Sequence, residues 1–175
     1  GCCHVGGFFV NDTGTTGIYT LSLHEALPIC IEEVESILDE HGATVKSKQN
    51  ATEYALRYVL SHDGDTAEMA AHIEEIEDVE ILSLGNKLEL IKDLGDAAKV
   101  AATYGLNNFT GTHGIDHTRM ATESDVDIRS AHPYWAFPYN DISVVHNGQI
   151  TNYWTMRREM ERQGHRFVSD CDSEL

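Results

Sequence analysis

The chain has little positive charge. Twelve Lys and Arg stand against 29 Asp and Glu over 175 residues, a net charge of −17. A nucleic-acid backbone is gripped by a basic face, so this balance argues against that class of partner. It fits solubility, or docking onto a basic protein surface. Long apolar runs are also missing. None approaches the ~20 residues needed to span a bilayer, and no basic segment followed by an apolar one marks a secretion signal, so the expected compartment is the cytoplasm. Cysteines number four (Cys2, Cys3, Cys30 and Cys171) and form no C-x-x-C pair. That argues against zinc and thioredoxin-like chemistry and suits free thiols in a reducing compartment. No Ser–His–Asp spacing stands out. An initiator Met is lacking, and Leu175 falls where a helix is expected to begin, so the sequence reads as a fragment.

What is present suffices for one domain with a real core: 41% of the residues are hydrophobic. Val5–Val10 reads as a short buried strand whose glycines allow close backbone approach. Asn11–Gly17 is a loop by composition. Ile31, Val34, Ile37 and Leu38 share one face of a helix over 31–41 that Gly42 stops. Tyr54, Leu56, Tyr58 and Leu60 alternate along a strand over 52–60. Asp65 is placed to cap a helix over 67–76. Strands over 79–84 and 87–92 flank Gly85-Asn86, a hairpin signal. Residues 31–92 carry no clustered chemistry and read as a small acidic inserted lobe with a solvated face, able to contact a partner. Further on come a helix over 96–104 and strands over 114–120 and 142–146. A helix over 151–163 follows, capped by Thr151, and then a strand over 166–168.

Chemistry concentrates between Gly114 and Leu175, where apolar runs stop at polar corners. The Arg119 guanidinium can grip a carboxylate through two parallel hydrogen bonds, beside Thr122. The Asn147 amide and the Gly148 backbone N–H are neutral donors for a developing oxyanion. The Asp172 carboxylate can hold an ammonium. Together these groups suit a small zwitterion. Each also has a plain reading: a surface ion pair for Arg119, a hairpin turn for Asn147-Gly148, and the N-cap of a helix starting at Ser173 for Asp172. Ten histidines invite a metal. However, His113 and His117 flank a β-like run rather than a helix face, and no metal site is expected.

The blocks H-T-R-M-A-T (117–122), A-H-P (131–133) and V-H-N-G (145–148), in this order, resemble the glutaminase domain of class II glutamine amidotransferases, the N-terminal-nucleophile type. The likeness is greatest to the amidotransferase subunit or domain of glutamate-synthase-like enzymes. It is dense over 92–175 and thin before. The opening C-C-H-V-G-G-F-F is similar to the family's start, where a Cys heads a glycine-bearing strand; this places the nucleophile at Cys2, with Cys3 as the alternative. In the family that Cys is the first residue, and here Gly1 precedes it. T-L-S-L-H-E-A-L-P-I (20–29) resembles a translated sequencing-library adapter, so no function is assigned to 19–29. The R-G-P-D-S-A-G-like block expected near it is not there.

The resemblance implies an α+β fold, the four-layer α-β-β-α sandwich of N-terminal-nucleophile hydrolases, here incomplete. It implies hydrolysis of L-glutamine to L-glutamate and ammonia through a thioester on Cys2. Asn147 and Gly148 would form the oxyanion hole, Arg119 with Thr122 would bind the substrate's α-carboxylate, and Asp172 its α-ammonium. No cofactor is expected in this chain. A glutamate-synthase-like partner would receive the ammonia and hold any flavin or iron–sulfur cluster. Two other readings stay open: a non-catalytic glutamine-binding regulatory module, and a hydrolase of another γ-glutamyl amide.

Overall fold

A computed structural model describes residues 3–10, 18–24, 28–50, 52, 55–120 and 128–175. Among these, strands β1 (Cys3–Val10), β6 (Leu88–Leu94) and β7 (Gly114–Met120) form one antiparallel sheet in the order β6-β1-β7. A second antiparallel sheet has the order β3-β4-β2-β5. Its strands are β2 (Ile18–His24), β3 (Thr44–Asn50), β4 (Ala55–Ser61) and β5 (Glu80–Gly85). A two-stranded ribbon, β8 (Tyr134–Trp135) with β9 (Ser143–Val144), completes the β structure described. The class is α+β with antiparallel sheets.

The main core lies where α1 (Pro28–Glu40) and α2 (Thr66–Ile73) cover the second sheet. The expected helical stripe is real: Val34 and Leu38 are buried, Ile31 and Ile37 pack against the cluster, and Gly42 turns the chain at φ 71°. Leu56, Tyr58 and Leu60 of β4 point into the same core with Met69 and Ile73 of α2. The Asp65 side chain caps α2 by accepting the Ala67 N–H at 2.8 Å. The adapter-like stretch is structured where described. Its Leu21 and Leu23, in β2, are at the centre of the core. The expected loop at 11–17 and the Tyr54 position lie outside the described residues.

Several expectations are corrected. β5 and β6 do not form a hairpin across Gly85-Asn86; they enter different sheets. Asp141 explains the corner. Its Oδ1 accepts the backbone N–H groups of Lys87 at 2.7 Å and Leu88 at 2.8 Å, occupying donors a ladder would use. A Cβ on residue 85 would collide with that same oxygen, which is why glycine stands there. β3 was not legible as a strand: T-V-K-S-K-Q-N is polar and almost wholly exposed at the sheet edge. The helix expected over 151–163 is α4 (Tyr153–Arg162), with Asn152 at its N-cap position and no side-chain cap, so Thr151 does not serve. None of its residues is buried, and Trp154 is 58% exposed. No strand forms over 166–168, because the backbone there is engaged by side chains. α3 (Ala97–Thr103) starts at an Asp96 cap, close to expectation.

No helix among the described residues is long and apolar enough to cross a membrane.

Candidate active site

The register of β1 against β7 sets the first corner. Cys3 pairs with Met120 and His4 with Arg119, so the backbone of Arg119 lies across from the residue two places after Cys2 in sequence. Glycines at 6 and 7 pair with His117 and Asp116 on one side and with Lys92 and Ile91 on the other. This is the middle strand of its sheet, where close flanking backbones suit residues without side chains. Cys2 and Thr122 lie outside the described residues.

The second corner joins two segments distant in sequence. Asn147 and Gly148 sit on an exposed turn after β9. Two residues on, the Ile150 N–H donates to Asp172 Oδ2 at 2.6 Å. Asp172 opens a single 3₁₀ turn (Asp172–Glu174) without serving as its cap; that position belongs to Cys171. The side chain is instead spent across the chain. His146 stands between the two segments. Its Nδ1 lies 3.1 Å from Ser173 Oγ and 3.9 Å from Asp172 Oδ1. Its Nε2 faces Gly148 so closely that a Cβ there would sit 2.6 Å away. A side chain at 148 would have to displace that imidazole; no left-handed φ calls for glycine there.

A line of contacts runs from β7 to this corner. The His117 ring is 4.5 Å from that of His132, and His132 meets Tyr134 edge-on at 5.2 Å. The Tyr134 and Ser169 hydroxyls share a hydrogen bond of 3.2 Å, and Ser169 Oγ accepts the Cys171 N–H at 3.2 Å. Buried Lys92, from β6, places its ammonium 4.6 Å from the Tyr134 ring centre, within cation–π range. Burial pushes the Tyr134 phenol well above its ordinary pKa, so it remains a neutral hydroxyl. His132 and Tyr134 thus connect the strand carrying Arg119 with the segment carrying Asp172.

The structure ties Asp172 to Ile150, two residues past Gly148, and sets the backbone of Arg119 against the amino-terminal strand. Three participants were missed in the sequence: Ser173, the Ile150 N–H and Arg157. Only Arg157 left a signal, its i, i+4 spacing from Tyr153 and to Glu161. A cavity of about 560 Å³ lies among β2, β4, β6 and α3, lined by Arg57, Glu89, Lys92 and Tyr104 among others; among the described residues, Asn147, Gly148 and Asp172 do not line it.

The fold is antiparallel α+β, and one corner joins the Asp172 carboxylate to the segment that carries Asn147 and Gly148. Comparison gives a family match. Residues 117–175 match the glutamine amidotransferase domain. A Methanothermobacter thermautotrophicus protein provisionally assigned as a glutamine amidotransferase is 41% identical over 146 residues, covering 82% of this chain and 48% of that relative. The glutamine amidotransferase-like protein GlxB of Rhizobium meliloti is 31% identical over 170 residues, covering 97% of this chain and 55% of GlxB. The glutamine–fructose-6-phosphate aminotransferase (isomerizing) of Aeropyrum pernix is 38% identical over 97 residues, 55% of this chain and 16% of that enzyme. The chain carries a class II glutamine amidotransferase domain over residues 117–175, and its likeness to these relatives extends over most of its length. The chain spans about half the length of the first two relatives.

Proposed function

We propose that this chain is the glutaminase half of an amidotransferase, hydrolysing L-glutamine to L-glutamate and ammonia. The observation that carries the reading is the hydrogen bond from the Ile150 N–H to Asp172. In a sequence of this family, it ties the carboxylate assigned to the substrate's ammonium to the turn assigned to the oxyanion.

Apart from the adapter-like 20–29 stretch, residues 1–175 form a fragment of one glutamine amidotransferase domain, built on the four-layer sandwich of N-terminal-nucleophile hydrolases with 31–92 as an inserted lobe. Cys2, once it is the first residue, carries its own base. Its α-amino group has an ordinary pKa of about 7.7–8.0 and is partly neutral near pH 7. The amine takes the thiol proton, and the sulfur bonds to the carboxamide carbon. Asn147 and Gly148 N–H donors stabilise the tetrahedral oxyanion. The amine then returns the proton to the nitrogen, the carbon–nitrogen bond breaks and ammonia leaves. Water adds to the thioester, the carbon–sulfur bond breaks, and glutamate and the free thiol are regenerated. Arg119 with Thr122 holds the α-carboxylate, and Asp172 the α-ammonium. Cys3 is the alternative nucleophile. The ammonia passes to a glutamate-synthase-like partner, as the sequence resemblance suggests.

The test is ammonia release from glutamine by a chain beginning at Cys2, compared with the same chain retaining Gly1 and with Cys2→Ala and Cys3→Ala. Activity that needs a free amino-terminal Cys supports the reading. Glutamine binding without turnover in every form, with intact folding, would favour a regulatory module instead.

A further inference from the structure

We infer that Arg157 is a positioning residue that fixes the Asp172 carboxylate relative to the Asn147-Gly148 turn; the functional meaning of this rests on the glutaminase reading. α4 has no buried residue, so an apolar face does not hold it in place. The Arg157 side chain does, at 13% exposure. Its Nη1 donates to Ser169 O at 2.5 Å, to Tyr153 Oη at 2.6 Å and to Asp170 Oδ1 at 3.1 Å. Its Nη2 donates to Phe167 O at 3.4 Å and its Nε to Glu161 Oε1 at 2.9 Å. The guanidinium also lies 5.3 Å from the Phe167 ring centre. Tyr153 and Glu161 belong to α4. Phe167, Ser169 and Asp170 belong to the segment that leads into Asp172. One side chain therefore fastens the helix to that segment.

The fastening matters because of where α4 begins. The Tyr153 N–H donates to Ile150 O at 3.1 Å, and the Ile150 N–H is what holds Asp172. Two ties close a small ring: Ile150 to Asp172, and Arg157 to Phe167 and Ser169. Without Arg157, the 167–172 segment keeps its hydrogen bonds to Ile150 and Tyr134, and Ser173 keeps its contact with His146, but none of these fastens it to the body of α4. With both ties, the distance from the turn to the carboxylate is set. Glu174 grips the same segment from its other side, accepting the Val168 N–H at 2.7 Å and the Ser169 N–H at 2.9 Å. A planar fork is needed to reach two carbonyls and a carboxylate together, and a lysine ammonium lacks it.

Two measurements test this in the whole chain. The first is amide hydrogen exchange at Ile150. Arg157→Ala is expected to speed it about tenfold or more, and Arg157→Lys to speed it less, while amides of β2 and β4 keep their protection. Unchanged exchange at Ile150, or equal acceleration throughout the core, overturns the inference. The second is selectivity between glutamine and its des-amino analogue glutaramate, which keeps the amide and carboxylate but has no ammonium. If Arg157 acts through Asp172, Arg157→Ala lowers the preference for glutamine about tenfold, through KM, with kcat little changed. Equal losses on both substrates overturn it. A wild-type chain that turns over neither compound sinks the glutaminase reading and with it the role in binding, whereas the exchange result at Ile150 tests the latch itself.

Discussion

The Asp172 carboxylate reaches back 22 positions to accept the Ile150 backbone N–H at 2.6 Å. This short contact makes one corner of two segments. It puts a carboxylate two residues from an exposed turn that carries Asn147 and Gly148. A charged acceptor on a backbone N–H is among the stronger hydrogen bonds in proteins.

Replacing the carboxylate while keeping its acceptor separates the two roles of Asp172. Asp172→Asn retains an oxygen for Ile150 but loses the charge for an ammonium. The expected result is a rise in glutamine KM of about tenfold or more, with melting temperature nearly unchanged. Steady-state kinetics and a thermal melt check it.

Gly148→Ala drives a methyl into the His146 ring, whose Nε2 would lie 2.6 Å from the new Cβ. Turnover should fall by about 100-fold as the oxyanion donor is displaced. In a His146→Ala background the same change should cost far less. The double-mutant cycle in kcat is the measurement, and strict additivity would argue that the ring is not the obstacle.

Arg57 and Glu89 join the two sheets, β4 to β6, by a bidentate pair at 2.5 and 2.9 Å, with the Glu89 side chain 7% exposed. Arg57→Ala leaves that carboxylate buried without its guanidinium. Urea unfolding should show a loss of roughly 3 kcal/mol, discounted from the fully buried case because Arg57 itself is partly exposed. The double change Arg57→Met, Glu89→Leu should recover most of it.

Glu74 gives the stability a pH dependence of predictable sign. Burial raises its pKa from 4.5 to about 7, against the lowering effect of the Ile81 N–H it accepts at 2.7 Å. The folded state thus holds the proton more tightly than the unfolded one. The stability this contributes is full below pH 4.5 and is lost as pH rises toward 7. Glu74→Gln keeps an acceptor for Ile81 and removes the titration. The variant should gain roughly 1–3 kcal/mol relative to wild type at pH 8 and nothing at pH 4, read from denaturant melts across that range.

Elements whose cause is local were legible in the sequence. The α1 stripe follows from helical spacing and the start of α2 from the Asp65 cap. Elements set by a distant partner were not. The Gly85-Asn86 corner depends on Asp141, 54 positions from Lys87. The coil over 166–168 depends on Arg157 and Glu174, which use its carbonyls and amides. β3 owes its pairing to β4 and carries no apolar pattern of its own. The candidate site divides the same way: residue types and order pointed to Asn147, Gly148 and Asp172, while the Ile150 and Ser173 links have no signature short of the fold and Arg157 left only its i, i+4 spacing.

The most direct test of the glutaminase account is covalent capture of the nucleophile. A glutamine analogue bearing an electrophilic diazoketone in place of the amide is incubated with the chain beginning at Cys2, and the labelled peptide is identified by mass spectrometry. The account predicts one equivalent on Cys2, or on Cys3 as its alternative, blocked by excess glutamine and lost in Arg119→Ala. Label on Cys30 or Cys171, or label that glutamine does not prevent, contradicts it.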